Sequence, residues 1–213
     1  MTTGQSESLK SYYQGLYAKF GNSHQSVQHV SKEAQNVRFK IFLEQISNKS
    51  RVVDLGCGLG DMLAFFRDNG FTGDYLGLDF VPEFIHSAEK KFSDDRKSKF
   101  KLFDIHSDAM PLGYDHVLIS GVFNNKTTDN FSFMKSALTK SFAACEKSVI
   151  FNALSTYVEY EDPTLFYIDP MVIFDMCKQE MTPFVNLKHD YVTKIGGYPY
   201  EFTLSLYKES FSV

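Results

Sequence analysis

Two periodicities divide the chain near residue 50. Over residues 8–20, Leu9, Tyr12, Tyr13, Leu16, Tyr17 and Phe20 recur at intervals of three and four, which predicts a helix with one apolar face. After a polar turn at 21–24, Ser31 stands ahead of Glu33 and Ala34 as a helix start. Val37, Ile41, Phe42 and Ile46 then mark the inner face of a second helix. From residue 51 onward the apolar positions gather into short β-rich runs at 51–55, 74–79, 100–103, 116–120, 148–153, 185–191 and 201–207. Helical runs at 61–69, 82–92, 131–144 and 170–180 fall between them. Strands alternating with helices are the mark of a parallel sheet covered by helices. The last two strands have no helix between them, which predicts an antiparallel C-terminal hairpin. The expected fold is therefore α/β, a seven-stranded, mostly parallel sheet ending in that hairpin.

Length and composition narrow this picture. At 213 residues, 43% hydrophobic and 23% charged, the chain is an ordinary folded domain with neither repeats nor linker-like stretches. One domain is expected, with residues 1–48 as an N-terminal helical cap and 49–213 as the core. The net charge is −4, and the longest basic run, 97–101, is offset by Asp94 and Asp95, so no nucleic-acid partner is expected. Cys57, Cys145 and Cys177 form no C-x-x-C pair and are odd in number, which argues against a disulfide framework or structural zinc. A reducing, cytoplasmic location is the expectation. No export signal opens the sequence, and no apolar run approaches a bilayer span, so no membrane partner is expected either.

The chemistry concentrates at VVDLGCGLGD, residues 52–61, where the first core strand meets the first covering helix. Glycines at such a junction let backbone approach a ligand closely at a helix N-terminus. A dinucleotide loop wants G-x-G-x-x-G, but counting from Gly56 and Gly58 the third place is Asp61. The glycines run Gly56, Gly58, Gly60, with Asp54 two residues ahead. A carboxylate there suits a cationic ligand without phosphate, whereas it would repel pyrophosphate.

This loop resembles motif I of the class I S-adenosylmethionine-dependent methyltransferases, and the element order is similar over most of residues 30–208. The resemblance implies a Rossmann-like fold, with S-adenosylmethionine as cofactor and S-adenosylhomocysteine as product. It places Asp54, Gly56, Cys57, Gly58 and Gly60 in the cofactor loop. Asp79, 19 residues after Gly60, is the expected partner of the ribose hydroxyls. Phe80 is placed against the adenine, Asp104 and Ile105 at the adenine amino group, and Ser120 and Gly121, in HVLISGVFN, beside the reacting methyl. Gln35 and Arg38, three apart on the second helix, resemble a pair that reaches the cofactor's methionine end.

Each position also has a plainer reading. The loop could be a bare turn, Asp79 a cap ahead of Pro82, Asp104 a strand-end acid, and Gln35 with Arg38 an exposed face. Tyr12, Tyr13 and Tyr17 could close over a substrate or simply pack. For a general base, needed when the acceptor is a hydroxyl or an ammonium, His189 is the first candidate, with Tyr157, Tyr167 or Glu201 as alternatives. No histidine pair has metal-ligand spacing, and no metal is expected.

Absences shape the acceptor. GVFN stands where N-P-P-Y would follow the fourth strand, no Pro-Cys dipeptide occurs, and the fourth-strand loop offers Asn124, Asn125 and Lys126 rather than a carboxylate. These features disfavour methylation of nucleobases or glutamine and the metal-assisted chemistry of catechol-type enzymes. A small molecule, a metabolite or sugar methylated on oxygen or nitrogen, is expected. A non-catalytic cofactor-binding partner protein and a nicotinamide-dependent reductase remain as alternatives, and the sequence does not specify an oligomeric state.

Overall fold

A computed structural model describes residues 3–28, 31–194 and 196–210. The cap consists of α1 (Thr3–Phe20), a 3-10 turn (His24–Val27) and α2 (Lys32–Leu43). Ser31 caps α2 as expected, its hydroxyl accepting from the Ala34 N–H at 3.1 Å.

The core runs β1 (Val52–Leu55), α3 (Asp61–Asp68), β2 (Tyr75–Asp79), α4 (Pro82–Lys91), β3 (Ser98–Leu102), β4 (His116–Ile119) and α5 (Asn130–Ala144). It continues through β5 (Ser148–Ser155), β6 (Tyr167–Ile168), α6 (Pro170–Glu180), β7 (Val185–Lys188) and β8 (Glu201–Tyr207). The sheet order is β3-β2-β1-β4-β5-β8-β7. Strands β1 to β5 pair in parallel, while β8 pairs antiparallel with both β5 and β7. This is the expected mostly parallel sheet with an antiparallel C-terminal hairpin, and β8 is inserted beside β5.

Two details differ from the sequence pattern. The two-residue β6 pairs in parallel with the end of β5, adding an eighth strand. The run expected at 185–191 ends at Lys188, and Tyr191 instead buries its ring with Phe39 and Phe42 while its hydroxyl meets Thr203 Oγ1 at 3.0 Å.

Period-two alternation builds two cores. Val53 and Leu55 of β1, Val117 and Ile119 of β4, and Val149 and Phe151 of β5 face α5 and α6. Val52, Leu118 and Ile150 face the other way, against Phe39 and Phe42 of α2 and Met62, Leu63 and Phe66 of α3. The strand order reverses between β1 and β4, and the crevice beyond the carboxyl ends of those strands is where an open α/β sheet binds its ligands.

Candidate active site

At the end of β1 the three alternating glycines all lie in the left-handed region, with φ of +81° at Gly56, +52° at Gly58 and +73° at Gly60. Space as well as backbone demands glycine. A Cβ on Gly56 would sit 2.3 Å from Val122 Cγ2, and one on Gly58 would sit 2.8 Å from Val27 Cγ1. The loop is tied to β2, because Gly56 and Cys57 N–H both donate to the Leu78 carbonyl at 2.7 and 3.0 Å.

Two buried carboxylates flank it. Asp79 accepts from Gly58 N at 2.9 Å through Oδ2 and from Val81 N at 2.9 Å through Oδ1. Burial pushes its pKa up to about 6 despite those donors. Asp54, 1% exposed, takes the Tyr75 hydroxyl proton donor on Oδ2, while its Oδ1 is buried without a partner. Burial pushes Asp54 up to about 7, with Tyr75 opposing the rise. The same burial, with Asp79 and Asp54 nearby, lifts the Cys57 thiol well above its usual range, which suits packing and not nucleophilic chemistry.

A cavity of about 400 Å³ opens over this loop. Asp54, Gly56, Cys57, Gly58, Asp79, Phe80, Asp104, Ile105, Ser120, Gly121, Gln35 and Arg38 all border it. Gly60 does not; it is the N-cap of α3, and a Cβ there would meet Phe92 and Phe100. Gln35 and Arg38 are turned inward and buried, contrary to an exposed helix face. Arg38 is engaged by Glu201: Nε donates to Oε2 at 2.7 Å, and Nη2 pairs with Oε1. Glu201 Oε2 also accepts from Asn152 Nδ2 at 3.2 Å, and Asn152 Oδ1 accepts from Gly121 N at 2.9 Å. A buried chain thus runs from the cap to the loop after β4.

The roof was only partly foreseeable. Leu9 and Tyr13 of α1, Val27 and Gln28, Asn124 and Leu165 also line the cavity. Tyr13 packs edge-on against Phe80 and Phe84, with centroids 6.2 and 6.0 Å apart. Its hydroxyl donates to Gln28 Oε1 at 2.9 Å and accepts from Asn125 Nδ2 at 2.7 Å. Gln28, with a left-handed φ of +58°, is the C-cap of the 3-10 turn. Of the tyrosine stripe, Tyr13 reaches the cavity, whereas Tyr17 packs on Phe84 and bonds Ser87 Oγ at 2.7 Å.

The candidate bases are not gathered there. His189 stacks on Tyr157, with centroids 5.8 Å apart, and its Nε2 lies 3.1 Å from the Pro199 carbonyl. Neither is among the cavity-lining residues, nor is Tyr167, whose hydroxyl accepts from Asp162 N at 3.2 Å. Past the edge strand β7, His189 stands on the far side of β8 from β1 and β4. Glu201 does line the cavity, locked to Arg38. Among the described residues no group of three metal-ligating side chains is assembled, and no helix is long and apolar enough to cross a membrane.

The donor set fits S-adenosylmethionine. Asp54 Oδ1 is a buried acceptor facing a cavity, and an ammonium would satisfy it without phosphate.

Residues 53–142 match the methyltransferase domain family model. A Mycobacterium tuberculosis protein named as a methyltransferase is 31% identical over 163 residues, spanning 74% of this chain and 92% of the relative. The magnesium protoporphyrin IX methyltransferase of Synechocystis PCC 6803, solved with bound S-adenosylhomocysteine, superposes with a TM-score of 0.72. It is 12% identical, over 96% of this chain and 100% of that one. Phosphoethanolamine N-methyltransferase 1 of Haemonchus contortus, solved with phosphoethanolamine and S-adenosylhomocysteine, gives a TM-score of 0.70 at 12% identity, covering 100% of this chain and 51% of that one.

Proposed function

This chain belongs to the class I S-adenosylmethionine-dependent methyltransferases, and from that premise we propose that it methylates a small molecule, on oxygen or nitrogen, inside the roofed cavity. The roof carries the reading. Tyr13 and Gln28 line the cavity and bond to each other and to Asn125, so the N-terminal cap covers part of a cavity of about 400 Å³, a size suited to small molecules.

S-adenosylmethionine, when bound, supplies a methyl group activated by its sulfonium. The residues of this chain bind, orient and exclude water. We assign Asp54 Oδ1 to the ammonium, Asp79 to the ribose hydroxyls, Phe80 to the adenine face, and Asp104 with Ile105 to the adenine edge. Gly56, Cys57 and Gly58 let the backbone close on the ligand, while Gly60 keeps the turn into α3. Gln35 and Arg38 border the carboxylate end, and Ser120 with Gly121 borders the methyl. Methyl transfer disperses a positive charge, so alignment and dryness are the main contributions asked of such a site.

The test is transfer of labelled methyl from S-adenosylmethionine into a whole extract of the producing organism. Protein-dependent label in an ultrafilterable compound separated from S-adenosylmethionine itself is expected, and protein-dependent label confined to retained macromolecules would overturn the small-molecule reading.

A further inference from the structure

Tyr13, Gln28, Asn124, Leu165, Tyr200 and Glu201 line the cavity and are not among the residues assigned above to the cofactor. Charge around the whole cavity is one-sided. Asp54, Asp61, Asp79, Asp104, Asp162 and Glu201 border it, against Arg38 as the sole lysine or arginine among the described lining residues. Lys91 answers Asp61 at 2.8 Å, but from outside the lining. The Arg38 guanidinium is held by two oxygens of Glu201, and both residues are buried. Whatever positive potential escapes that pair falls at the carboxylate end assigned to the cofactor. An anionic acceptor would be stripped of water in a cavity whose carboxylates outnumber its one guanidinium, and that guanidinium is already held by Glu201.

The hydrogen-bonding capacity left over points the same way. Ser120 Oγ and Asn124 Oδ1, on the loop that borders the methyl, are buried without partners. Asn124 Oδ1 is purely an acceptor, and phosphate or carboxylate would bring it only more acceptors. An N–H or O–H group would satisfy it.

Resting on the methyltransferase reading above, we infer that the acceptor bears no phosphate, phosphonate, sulfate or carboxylate group and enters as a neutral or cationic molecule rich in N–H or O–H donors. A lone pair on its nitrogen or oxygen forms the new bond to the methyl carbon as the carbon–sulfur bond breaks. That bond's electron pair goes to sulfur, leaving a neutral thioether, and the acceptor's N–H or O–H proton passes to water.

The experiment reads product charge. Unreacted S-adenosylmethionine, itself a cation, is first removed from the small-molecule fraction by reversed-phase separation, and only label whose appearance depends on the protein is counted. That product is passed over a strong anion exchanger near neutral pH, and inorganic phosphate is added to a parallel reaction as a competing anion. The label is expected in the unretained fraction, and phosphate is expected to leave the rate unchanged. Label held by the exchanger, or phosphate inhibition relieved by more extract, would overturn the inference while leaving a methyltransferase in place. Absence of any labelled small molecule would overturn the reading on which it rests.

Discussion

A carboxylate with one oxygen bonded to Tyr75 and the other bonded to nothing is costly to bury, and Asp54 is held in that state inside β1. On the assignment proposed above, a cationic ligand would offset that cost. Burial raises Asp54 to about 7 and Asp79 to about 6, against about 4 for an aspartate in the unfolded chain. Between those values the folded protein keeps protons that the unfolded chain has released, so ligand-free stability falls as pH rises from about 4 to about 7. These two carboxylates should lower the melting temperature of the ligand-free protein from about pH 4 to about 7, against the opposite contribution of His116, which burial holds down to about 4, and Asp54→Asn should remove the Asp54 share of the decline. A variant whose melting temperature keeps the wild-type dependence on pH would contradict the assignment. Since an ammonium needs the ionised carboxylate, S-adenosylhomocysteine affinity should weaken by about tenfold per pH unit below about 7, as titration at several pH values would reveal.

At the scale of elements, the strand–loop–helix junction and the roof make separate predictions. Gly21 and Gly56 both have left-handed φ, but an added Cβ meets nothing within 4 Å at Gly21 and meets Val122 at Gly56. Gly21→Ala should therefore cost on the order of 1 kcal/mol, and Gly56→Ala roughly 2–4 kcal/mol together with cofactor binding, as measured by denaturant unfolding and titration. Equal costs would mean that the loop is not held against Val122. Tyr13→Phe keeps the ring on Phe80 and Phe84 but removes the hydroxyl that joins α1 to Gln28 and Asn125. Global stability should change by less than about 1 kcal/mol, while amide exchange in residues 8–28 quickens and acceptor KM rises. Unchanged exchange there would remove α1 from the roof.

Elements with a strong period were legible in the chain. Strands β1, β2, β4, β5 and β8 lie within about two residues of their apolar runs, because both faces of each are buried and nearly every side chain must enter a core. Strand β6 was not legible, since two residues carry no period and it exists by pairing with the end of β5. Within the site, Asp54, Gly56 and Asp79 could be read because local spacing around a strand end sets their placement. The inward turn of Arg38 was expected from the family resemblance alone, and its pairing with Glu201 carried no local signal, since that partner lies 163 residues away. The position of His189 could not be read, since it depends on which sheet edge receives β7.

For the molecule as a whole, the buried Arg38–Glu201 pair ties the N-terminal cap to the C-terminal strand, and through Asn152 to Gly121. Removing one partner strands the other's charge. Arg38→Ala should cost roughly 3–5 kcal/mol, which for a domain of this length means melting lower by about 10 °C. The double variant Arg38→Met with Glu201→Leu should recover most of that loss. A single variant that melts like wild type would mean the pair does not hold cap to core.

The central claim is that this sheet holds S-adenosylmethionine between Asp54 and Asp79, and the most direct test is calorimetric titration with S-adenosylhomocysteine, with NADH as control. A dissociation constant on the order of micromolar is expected, weakened tenfold or more in both Asp54→Asn and Asp79→Ala, with no heat from NADH. No binding of S-adenosylhomocysteine, or binding indifferent to both substitutions, would contradict the account.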